Sequence, residues 1–447
     1  MYIKWIEENN EIQLPPQIAD LHGISAGSMT FQFGSWEQMV QVSVNPDFPS
    51  DIIGLPEHWQ DLFTIPDTLS YNLKVKGRTL SLGPVIAFIV FSHEKKMNRS
   101  SLNKHRSYFS DYLNVGGLIY ICAWNSIDIK NKLIQGYYFD PSGSSPSCQW
   151  KKGTFPYPGA AYNRTAMPKA VFDDLSSKMG NCIFNSFSRG SFNKWELYKR
   201  LSPNPKLLPY LPATKLLTDI SVLSDMLDKY HSIYIKPTKG TLSRGVVRAD
   251  QTDTGWMVAT PRKKQASGLS VMNLESSAKQ QEWFSGLKSK EYLAQQAIKM
   301  QRYQDRPIDF RVIMQKDETG TWGCTGIFGK FGRSGSIITN FSRAGFLRSG
   351  IDAFQLAFSM NEEEAKGKIE KMKEITFQIC DVFDQYGNYG DLGIDLMVDI
   401  HGKVWILEVN TLDTYHRFPL HLKDKLLYKK VVTQPFKYAK YLAGFSE

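Results

Sequence analysis

The sequence predicts a mixed α/β protein built from several domains. The chain has 447 residues, which is too long for one simple hydrophobic core. Strand patterns alternate with helical patterns between about residues 84 and 185, which indicates an α/β unit with parallel strands. Near the C-terminus, a long amphipathic helix leads into two short apolar runs that carry acidic residues. These three observations favour an α+β or α/β architecture whose chemistry is concentrated near the end of the chain.

Composition is typical of a soluble globular protein. Hydrophobic residues make up 42% of the sequence and charged residues 22%. The formal charge of +10 favours anionic partners, but the basic residues are dispersed and no nucleic-acid-binding motif is present. The longest apolar run, Pro84–Phe91, is too short to cross a bilayer. We therefore expect no nucleic acid partner and no membrane span.

The cysteines and the first residues bear on the compartment. The five cysteines are scattered, odd in number and form no CxxC pair, which argues against a disulfide framework or a zinc site. The residues that follow Met1 do not form a signal peptide. Both features fit a reducing compartment, so we expect a cytoplasmic protein.

The first part of the chain predicts two domains. Ser28–Phe33 and Met39–Val44 alternate polar and apolar residues, as half-buried strands do. Val85–Phe91 and Gly117–Ala123 are apolar runs typical of buried strands, and a helix is expected between them at Tyr108–Val115. We predict a small β-rich domain over residues 1–80 and an α/β domain over residues 81–188.

The strongest helical pattern in the chain lies at Glu362–Tyr386. Acidic residues near its start suit the positive end of the helix dipole. Its apolar residues recur at helical spacing, and the predicted stripe runs from Ile369 to Tyr386. This helix leads directly into the two acidic runs.

Those two runs predict a hairpin with a cation site. Gly390–Asp399 and Gly402–Asn410 are each short enough to be a strand, and a tight Asp-Ile-His-Gly turn joins them. Glu408 and Asn410 are two apart and share a face, which Asp395 on the partner strand can approach. Such oxygen ligands suit a hard cation such as Mg²⁺. The alternative is a hairpin with ordinary solvated polar positions, but Glu408 lies in an apolar run and needs a partner.

A glycine-containing loop predicts a phosphate-binding flap. One strand ends at Lys236, a loop with Gly240, Ser243 and Gly245 follows, and a second strand begins at Val246. Glycines let backbone N–H groups approach phosphates closely, and Lys236 adds a positive charge. The pattern is not a Walker A motif, which needs Gly-Lys-Ser/Thr entering a helix. The flanking strands indicate a flap over a nucleotide, and a plain turn is the alternative.

Other polar residues allow two interpretations each. On the predicted strand Pro307–Lys316, Asp309 and Arg311 share a face, which is either a salt-bridged surface or a ligand wall. Arg164, at the end of a short strand, is either a surface residue or a cation that faces a ligand. His416 is the histidine nearest to the predicted cation site, with a structural or exposed role as its alternative.

Taken in order, these segments resemble the ATP-grasp superfamily. The segments that carry this resemblance are Phe192–Trp195, Leu211–Thr214, Tyr234–Val246, Gln295–Ile298, Asp309–Lys316, Asn340 and Gly393–Asn410. More narrowly, the chain resembles the YheC/YheD family of endospore coat-associated proteins. The phrases behind this narrower resemblance are Leu82–Ile86, Phe184–Asn185, Asp309–Arg311 and Trp405–Asn410. The resemblance extends over roughly residues 82 to 420.

The resemblance implies an architecture and a set of site residues. It implies an ATP-grasp domain over 189–425 with a flap subdomain at about 215–298, after an α/β pre-ATP-grasp domain and the β-rich domain, and before a basic tail at 426–447. The implied nucleotide-binding residues are Lys194, Lys236, Gly240, Ser243, Gly245, Gln295, Gln296, Ala297 and Ile298. The implied metal-binding residues are Asp395, Glu408 and Asn410. The residues implied to hold phosphate or the acyl acceptor in catalysis are Arg311, Lys330 and Asn340.

The resemblance also implies a function. An ATP-grasp ligase would use ATP and Mg²⁺, with Mn²⁺ as an alternative, to join a carboxylate to an amine or thiol through an acyl phosphate. The sequence departs from the usual pattern in three places. The flap has fewer small residues than usual, Lys330 stands where an arginine is expected, and Thr411–Tyr415 replaces a proline-glycine substrate loop. The substrate pair is therefore not identified.

A non-catalytic role is the alternative to a ligase. In that case the chain would be an ATP-binding structural or interaction protein of the spore. For either function, the family resemblance implies spore coat proteins as partners and deposition of a cytoplasmic protein in the spore coat.

Overall fold

The computed structural model describes residues 1–143, 149–185, 193–240, 245–261, 269–287, 291–336, 345–412 and 414–446. Within these residues the chain forms four β-sheets and eleven α-helices. None of the described helices combines the length and apolar character needed to cross a membrane.

The first sheet is formed by the N-terminal residues. Its elements are β1 (Tyr2–Ile6), β2 (Glu11–Leu14), α1 (Pro16–His22), β3 (Gly27–Phe33), β4 (Trp36–Val44), β5 (Ile52–Pro56), β6 (Asn72–Lys76) and β7 (Thr79–Gly83). The strand order is β1-β5-β2-β4-β3-β7-β6. The predicted alternation is present in β3, where Met29, Phe31 and Phe33 are buried and the residues between them are not.

The second sheet contains the expected parallel strands. Its elements are β8 (Val85–Phe91), α2 (Arg99–Asn103), α3 (Tyr112–Val115), β9 (Leu118–Asp128), β10 (Leu133–Phe139), β11 (Trp150–Pro156), β12 (Ala160–Asn163), α4 (Lys169–Met179) and β13 (Ile183–Phe184). The order is β11-β10-β9-β8-β12-β13, with parallel pairing from β9 to β13. The helix predicted at Tyr108–Val115 is instead a 3₁₀ turn at Arg106–Phe109 followed by α3. The tighter turn buries the adjacent side chains of Tyr108 and Phe109 together.

The third sheet has a hydrophobic core of its own. Its elements are β14 (Thr214–Leu216), α6 (Ile220–Tyr230), β15 (Ser232–Pro237), β16 (Val247–Thr252), β17 (Gly255–Pro261), β18 (Leu269–Leu274), α7 (Ser277–Ser285) and β19 (Tyr292–Gln296). Helix α5 (Lys194–Leu201) precedes these elements in the chain and packs Leu197 and Leu201 into the core of the fourth sheet. The order is β14-β19-β15-β16-β17-β18. Helix α6 packs Leu223, Met226 and Leu227 onto this sheet, and Asp219 caps its first turn.

The fourth sheet carries the acidic hairpin. Its elements are β20 (Arg302–Tyr303), β21 (Arg306–Lys316), β22 (Trp322–Phe331), β23 (Phe346–Ser349), α8 (Gly350–Phe358), α9 (Glu362–Asp384), β24 (Asp391–Val398), β25 (Val404–Asn410), α10 (Phe418–His421) and α11 (Lys425–Leu442). The order is β23-β22-β21-β24-β25, and β20 pairs with β21. All strand pairs in this sheet are antiparallel.

Helix α9 is the long helix that the sequence predicts. Its start has a capping box, in which Asn361 and Glu364 each bond the other's backbone N–H. The helix ends at Asp384, so Tyr386 lies beyond it and is 45% exposed, not part of the apolar stripe. The guanidinium of Arg200 stacks on the Tyr386 ring at 4.4 Å instead.

Helix α11 joins the second and fourth sheets. It packs against β12 on one side and against β21 and β22 on the other. Its Phe436 is 1% exposed and meets the rings of Phe88, Phe109 and Tyr162 at centroid distances of 5.2, 5.7 and 6.2 Å. The first two sheets and this helix therefore share one hydrophobic core.

Replacing Phe436 with alanine should destabilise the protein by about 3 to 5 kcal/mol, because it leaves a cavity among these rings. The measurement is the shift of the urea or thermal unfolding midpoint. Leu426→Ala, on the same helix at an 84% exposed position, is the matched control and should change stability by less than about 0.5 kcal/mol. Equal shifts for the two variants would contradict the role given to Phe436.

Candidate active site

The acidic hairpin has the geometry that the sequence predicts. Strands β24 and β25 pair antiparallel, with Asp395 opposite Glu408 and Gly393 opposite Asn410. The turn between them is fixed by Asp399, which accepts hydrogen bonds from the backbone of His401 and Lys403 at 2.9 Å each. Asp395, Glu408 and Asn410 are thereby brought together at the end of the hairpin away from the turn.

Asp395 is enclosed by donors. Arg311 binds it in a bidentate contact, Nε to Oδ1 at 2.8 Å and Nη2 to Oδ2 at 2.9 Å. Lys330 donates to Oδ1 at 2.7 Å, and the Asn410 amide donates to Oδ2 at 3.1 Å. These four donors use about all the acceptor positions of a carboxylate. Burial by itself raises the pKa of Asp395, but the charges of Arg311 and Lys330 outweigh it and hold the pKa well below its usual value.

The strand register determines the positions of Arg311 and Lys330. Arg311 on β21 lies opposite Asp395, and Lys330 on β22 lies opposite Asp309, with which it also forms an ion pair of 3.1 Å. The sequence left the face of Asp309 and Arg311 as either a salt-bridged surface or a ligand wall. In the structure both residues form ion pairs, and both are buried, with less than a tenth of each exposed.

Glu408 is the carboxylate without a partner. It is half-buried, and among the described residues its carboxylate accepts no hydrogen bond and forms no ion pair. Burial and the neighbouring Asp395 raise its pKa, while Lys194, Arg311 and Lys236 oppose that shift. Asn410 uses its amide N–H₂ on Asp395 and on the Gly393 carbonyl, so its Oδ1 remains an acceptor.

Two lysines reach this region from the flap side. Lys236 on β15 is half-buried and donates to Gln295 Oε1 at 2.6 Å. Burial lowers its pKa to about 8, with Glu408 opposing and Lys194 adding to the shift. Lys194 begins α5, which Asn193 caps, and its Nζ donates to the Gly240 carbonyl at 2.9 Å. These electrostatic couplings link Lys194, Lys236 and Glu408 in one site.

The predicted hinge is the end of β19. Gln295 also donates to Thr214 Oγ1 at 3.0 Å, so it connects Lys236 to β14. The backbone N–H groups of Gln296 and Ala297 donate to the carbonyls of Ala213 and Ser232, at 2.8 and 3.0 Å. Ile298 follows directly and is half-buried. Two of the hinge amides are therefore already used within the flap sheet.

The flap loop is described only at its two ends. Gly240 has φ +131° and Gly245 has φ +76°, conformations that L side chains rarely adopt. Ser243 lies outside the described residues, and so does Asn340. For the described part of the predicted set, the structure brings the two lysines and the three hairpin residues together, with Arg311 and Lys330 on Asp395.

A second buried polar cluster adjoins the site, and the sequence analysis did not predict most of its contacts. Its centre is Asp391, which binds His416 Nε2 at 2.9 Å, Gln315 Nε2 at 3.0 Å and Thr414 Oγ1 at 2.9 Å. Tyr162 of the second sheet also donates to it. The available signal was an acidic residue at the start of an apolar run, since a buried carboxylate needs partners.

Arg164 and His416, left open by the sequence, both belong to this cluster. His416 is 2% exposed, and its Nδ1 lies 3.0 Å from the Tyr108 hydroxyl. Arg164 is half-buried, donates to that same hydroxyl and also donates to the Leu412 carbonyl at 3.3 Å. Both residues therefore hold the segment that follows the hairpin.

Within the described residues, no three His, Cys, Asp or Glu side chains form a metal-binding group. The predicted metal set includes an asparagine and has only two carboxylates. One of these, Asp395, already accepts hydrogen bonds from Arg311, Lys330 and Asn410. Of the three residues, the oxygen atoms that accept no hydrogen bond from the described part of the chain are those of Glu408 and Oδ1 of Asn410.

The chain is similar to several known proteins. A family model described as YheC/D like ATP-grasp matches residues 183–442. Endospore coat-associated protein YheD of Bacillus subtilis (strain 168) is 24% identical over 394 residues, which covers 85% of this chain and 83% of that protein. Endospore coat-associated protein YheC of the same strain is 25% identical over 229 residues, covering 50% of this chain and 60% of that protein.

One solved structure similar to the chain is ATP-grasp ligase PsnB, complexed with a phosphomimetic variant of its minimal precursor, Mg and ADP. It has 12% identity and a TM-score of 0.42, and the match covers 80% of this chain and 98% of that chain.

The Asp391 cluster predicts acid sensitivity. Burial alone raises the pKa of Asp391, but His416, Arg164 and Tyr162 outweigh it and lower the pKa to about 2. A carboxyl with a depressed folded pKa stabilises the protein above its unfolded pKa of 3.8, and this stability is lost as pH falls towards 2. The contribution is roughly 2 kcal/mol.

Unfolding midpoints of the wild type and Asp391→Asn, measured between pH 7 and pH 2, test this effect. The stability advantage of the wild type should be constant above about pH 5 and should shrink below about pH 4. An advantage that stays constant down to pH 2 would contradict the depressed pKa.

Proposed function

Because the chain belongs to the YheC/D-like ATP-grasp family, we propose that it is an ATP- and Mg²⁺-dependent ligase. It would join a carboxylate to an amine or thiol through an acyl phosphate. The observation that carries this proposal is that Lys194 and Lys236 both act electrostatically on Glu408, which forms no ion pair within the described part of the chain. Cations close to a carboxylate that lacks an ion pair suit a phosphate chain with its divalent metal.

The hairpin residues fit a hard cation by the chemistry of their donors. Glu408 and Asn410 Oδ1 supply oxygen atoms, which Mg²⁺ prefers, and Mg²⁺ usually takes one or two carboxylates beside water and phosphate. Asp395 would join them if one of its present donors released an oxygen. When bound, the ion would neutralise charge on the phosphates. Mn²⁺ has the same preference for oxygen ligands and is the alternative.

The lysines and the flap would hold the nucleotide. Lys236 is partly neutral near pH 8, and a phosphate beside it would raise its pKa and restore the full charge. Lys194 donates to the Gly240 carbonyl at the start of the loop that we propose covers the phosphates, and Lys236 lies on the strand that leads into this loop. Gln295, Gln296, Ala297 and Ile298 would form the adenine hinge.

Arg311 and Lys330 are the proposed catalytic cations, together with Asn340 in the segment outside the described residues. Positioned positive charge stabilises the charge that develops on a transferring phosphoryl group without any nucleophilic side chain. Arg311 holds a fixed, fork-shaped set of donors, whereas Lys330 presents a compact charge on a flexible stem. We therefore assign orientation to Arg311 and charge compensation to Lys330.

One observation favours the second candidate, a non-catalytic ATP-binding protein of the spore. Arg311 and Lys330 are both committed to Asp395, which leaves these two cations compensated within the sheet. The two relatives from Bacillus subtilis are named endospore coat-associated proteins. We propose that this chain likewise starts in the cytoplasm and associates with spore coat proteins, under either candidate function.

Measuring ADP release separates the two candidates. The purified protein is incubated with ATP, Mg²⁺ and pools of amino acids, and ADP is followed by a coupled assay. Release that depends on an added acid and amine is expected for a ligase. ATP binding without substrate-stimulated ADP release would favour the binding protein instead.

The variant Glu408→Gln should weaken Mg²⁺-dependent ATP binding by about tenfold or more, which corresponds to about 1.4 kcal/mol, because it removes the carboxylate that we propose binds the ion. Titration calorimetry with and without Mg²⁺ is the measurement. Glu374→Gln is the matched control, since Glu374 is exposed on α9 and pairs only with Lys371 among the described residues. Unchanged affinity in Glu408→Gln would rule out this residue as a metal ligand.

A further inference from the structure

The Asp391 cluster crosses the boundary between two sheets. Tyr108 and Tyr162 belong to the layer of the second sheet, whereas Asp391 and His416 belong to the fourth sheet and the segment after it. Tyr162 donates to Asp391, and one hydrogen bond of 3.0 Å joins the Tyr108 hydroxyl to His416 Nδ1. All of these side chains are buried. Hydrogen bonds therefore connect the layer of the second sheet to Asp391 and His416.

This contact continues to the metal-site carboxylate through Thr414. The Thr414 hydroxyl donates to Asp391 at 2.9 Å and also bonds His416 Nε2. The backbone carbonyl of Thr414 accepts from Arg311 Nη1 at 2.9 Å. The Nε and Nη2 groups of Arg311 donate to Asp395. Thr414 is thus the direct link between the cluster and the guanidinium that grips Asp395.

The space around this link leaves little room for adjustment. A Cβ built at Gly393 would lie 2.9 Å from Arg311 Nη1 and 3.2 Å from the Thr414 Cα. The guanidinium therefore lies in a slot that only a glycine leaves open. A small shift of Thr414 has to move Arg311 or break its hydrogen bond, since packed interiors deform little.

We propose that Tyr108 and His416 are positioning residues, which hold Thr414 and through it the Arg311–Asp395 contact. The second-sheet layer would then set the geometry of the metal and phosphate site, although neither residue touches that site. This inference rests on the proposed function for its consequence, because a misplaced Asp395 matters only if a metal and phosphates bind beside it. Its structural part concerns Arg311 and Asp395 alone.

The test compares two single-hydroxyl deletions in the same layer. Tyr108→Phe removes the hydroxyl that bonds His416. Tyr120→Phe is the matched control, because Tyr120 is fully buried on β9 and its hydroxyl donates to the Pro156 carbonyl at 3.1 Å, away from the cluster. Tyr108→Phe loses two hydrogen bonds, because the hydroxyl bonds His416 and also accepts from Arg164, whereas Tyr120→Phe loses one. Both variants should fold, and Tyr108→Phe should lose somewhat more stability.

Two measurements decide the outcome. Calorimetry with ATP over a range of Mg²⁺ should show the Mg²⁺-dependent affinity falling about three- to tenfold in Tyr108→Phe and His416→Gln, with metal-free ATP binding unchanged. Tyr120→Phe should match the wild type. Amide hydrogen exchange without ligand should rise at residues 391–398 and 410–412 in Tyr108→Phe but not in Tyr120→Phe.

The exchange comparison tests positioning independently of the ligand. Equal exchange in Tyr108→Phe and Tyr120→Phe would overturn the positioning role, whatever the wild type binds. Increased exchange with unaltered Mg²⁺-dependent affinity would overturn the link to the site and leave the proposed function intact. A wild type that binds no ATP with Mg²⁺ would overturn the proposed function itself.

Discussion

The bidentate contact between Arg311 and Asp395 is the interaction on which the rest of the site depends. A buried carboxylate is costly unless it is paired, and here Arg311 and Lys330 compensate it from two adjacent strands. Apolar residues of similar volume would stabilise the centre of the sheet at least as well. The buried charges are therefore better explained by a role in ligand binding or catalysis than by a contribution to stability. They fix Asp395 beside Glu408, which forms no ion pair within the described part of the chain.

The charged groups of the site form one electrostatic network. Four cations adjoin three carboxylates, namely Lys194, Lys236, Arg311 and Lys330 with Asp309, Asp395 and Glu408. Lys236 has a lowered pKa and Glu408 a raised one, and burial is the largest cause of both. Each group is thus buried with too little compensation of its own. A polyanion with a divalent cation would supply both missing charges at once.

Local patterns predict the hairpin and the flap, but not the contacts that join them. Glu408 and Asn410 were predictable because side chains two apart share a face of a strand. Arg311 lies 84 residues before its partner Asp395, and Tyr162 lies 229 residues before Asp391. Such pairs depend on sheet register and on how layers pack, which no local periodicity encodes.

The residues of the proposed site lie on strands that belong to two different hydrophobic cores. Lys236 lies on β15, and Ile233 and Ile235 of the same strand belong to the core of the third sheet. Glu408 stands between Ile406 and Val409, which belong to the core of the fourth sheet. A ligand that contacts Lys236 and Glu408 together therefore bridges two separately packed units. The affinity for such a ligand would depend on the position of the third sheet relative to the hairpin, so binding of the proposed phosphate ligand would be thermodynamically coupled to that position.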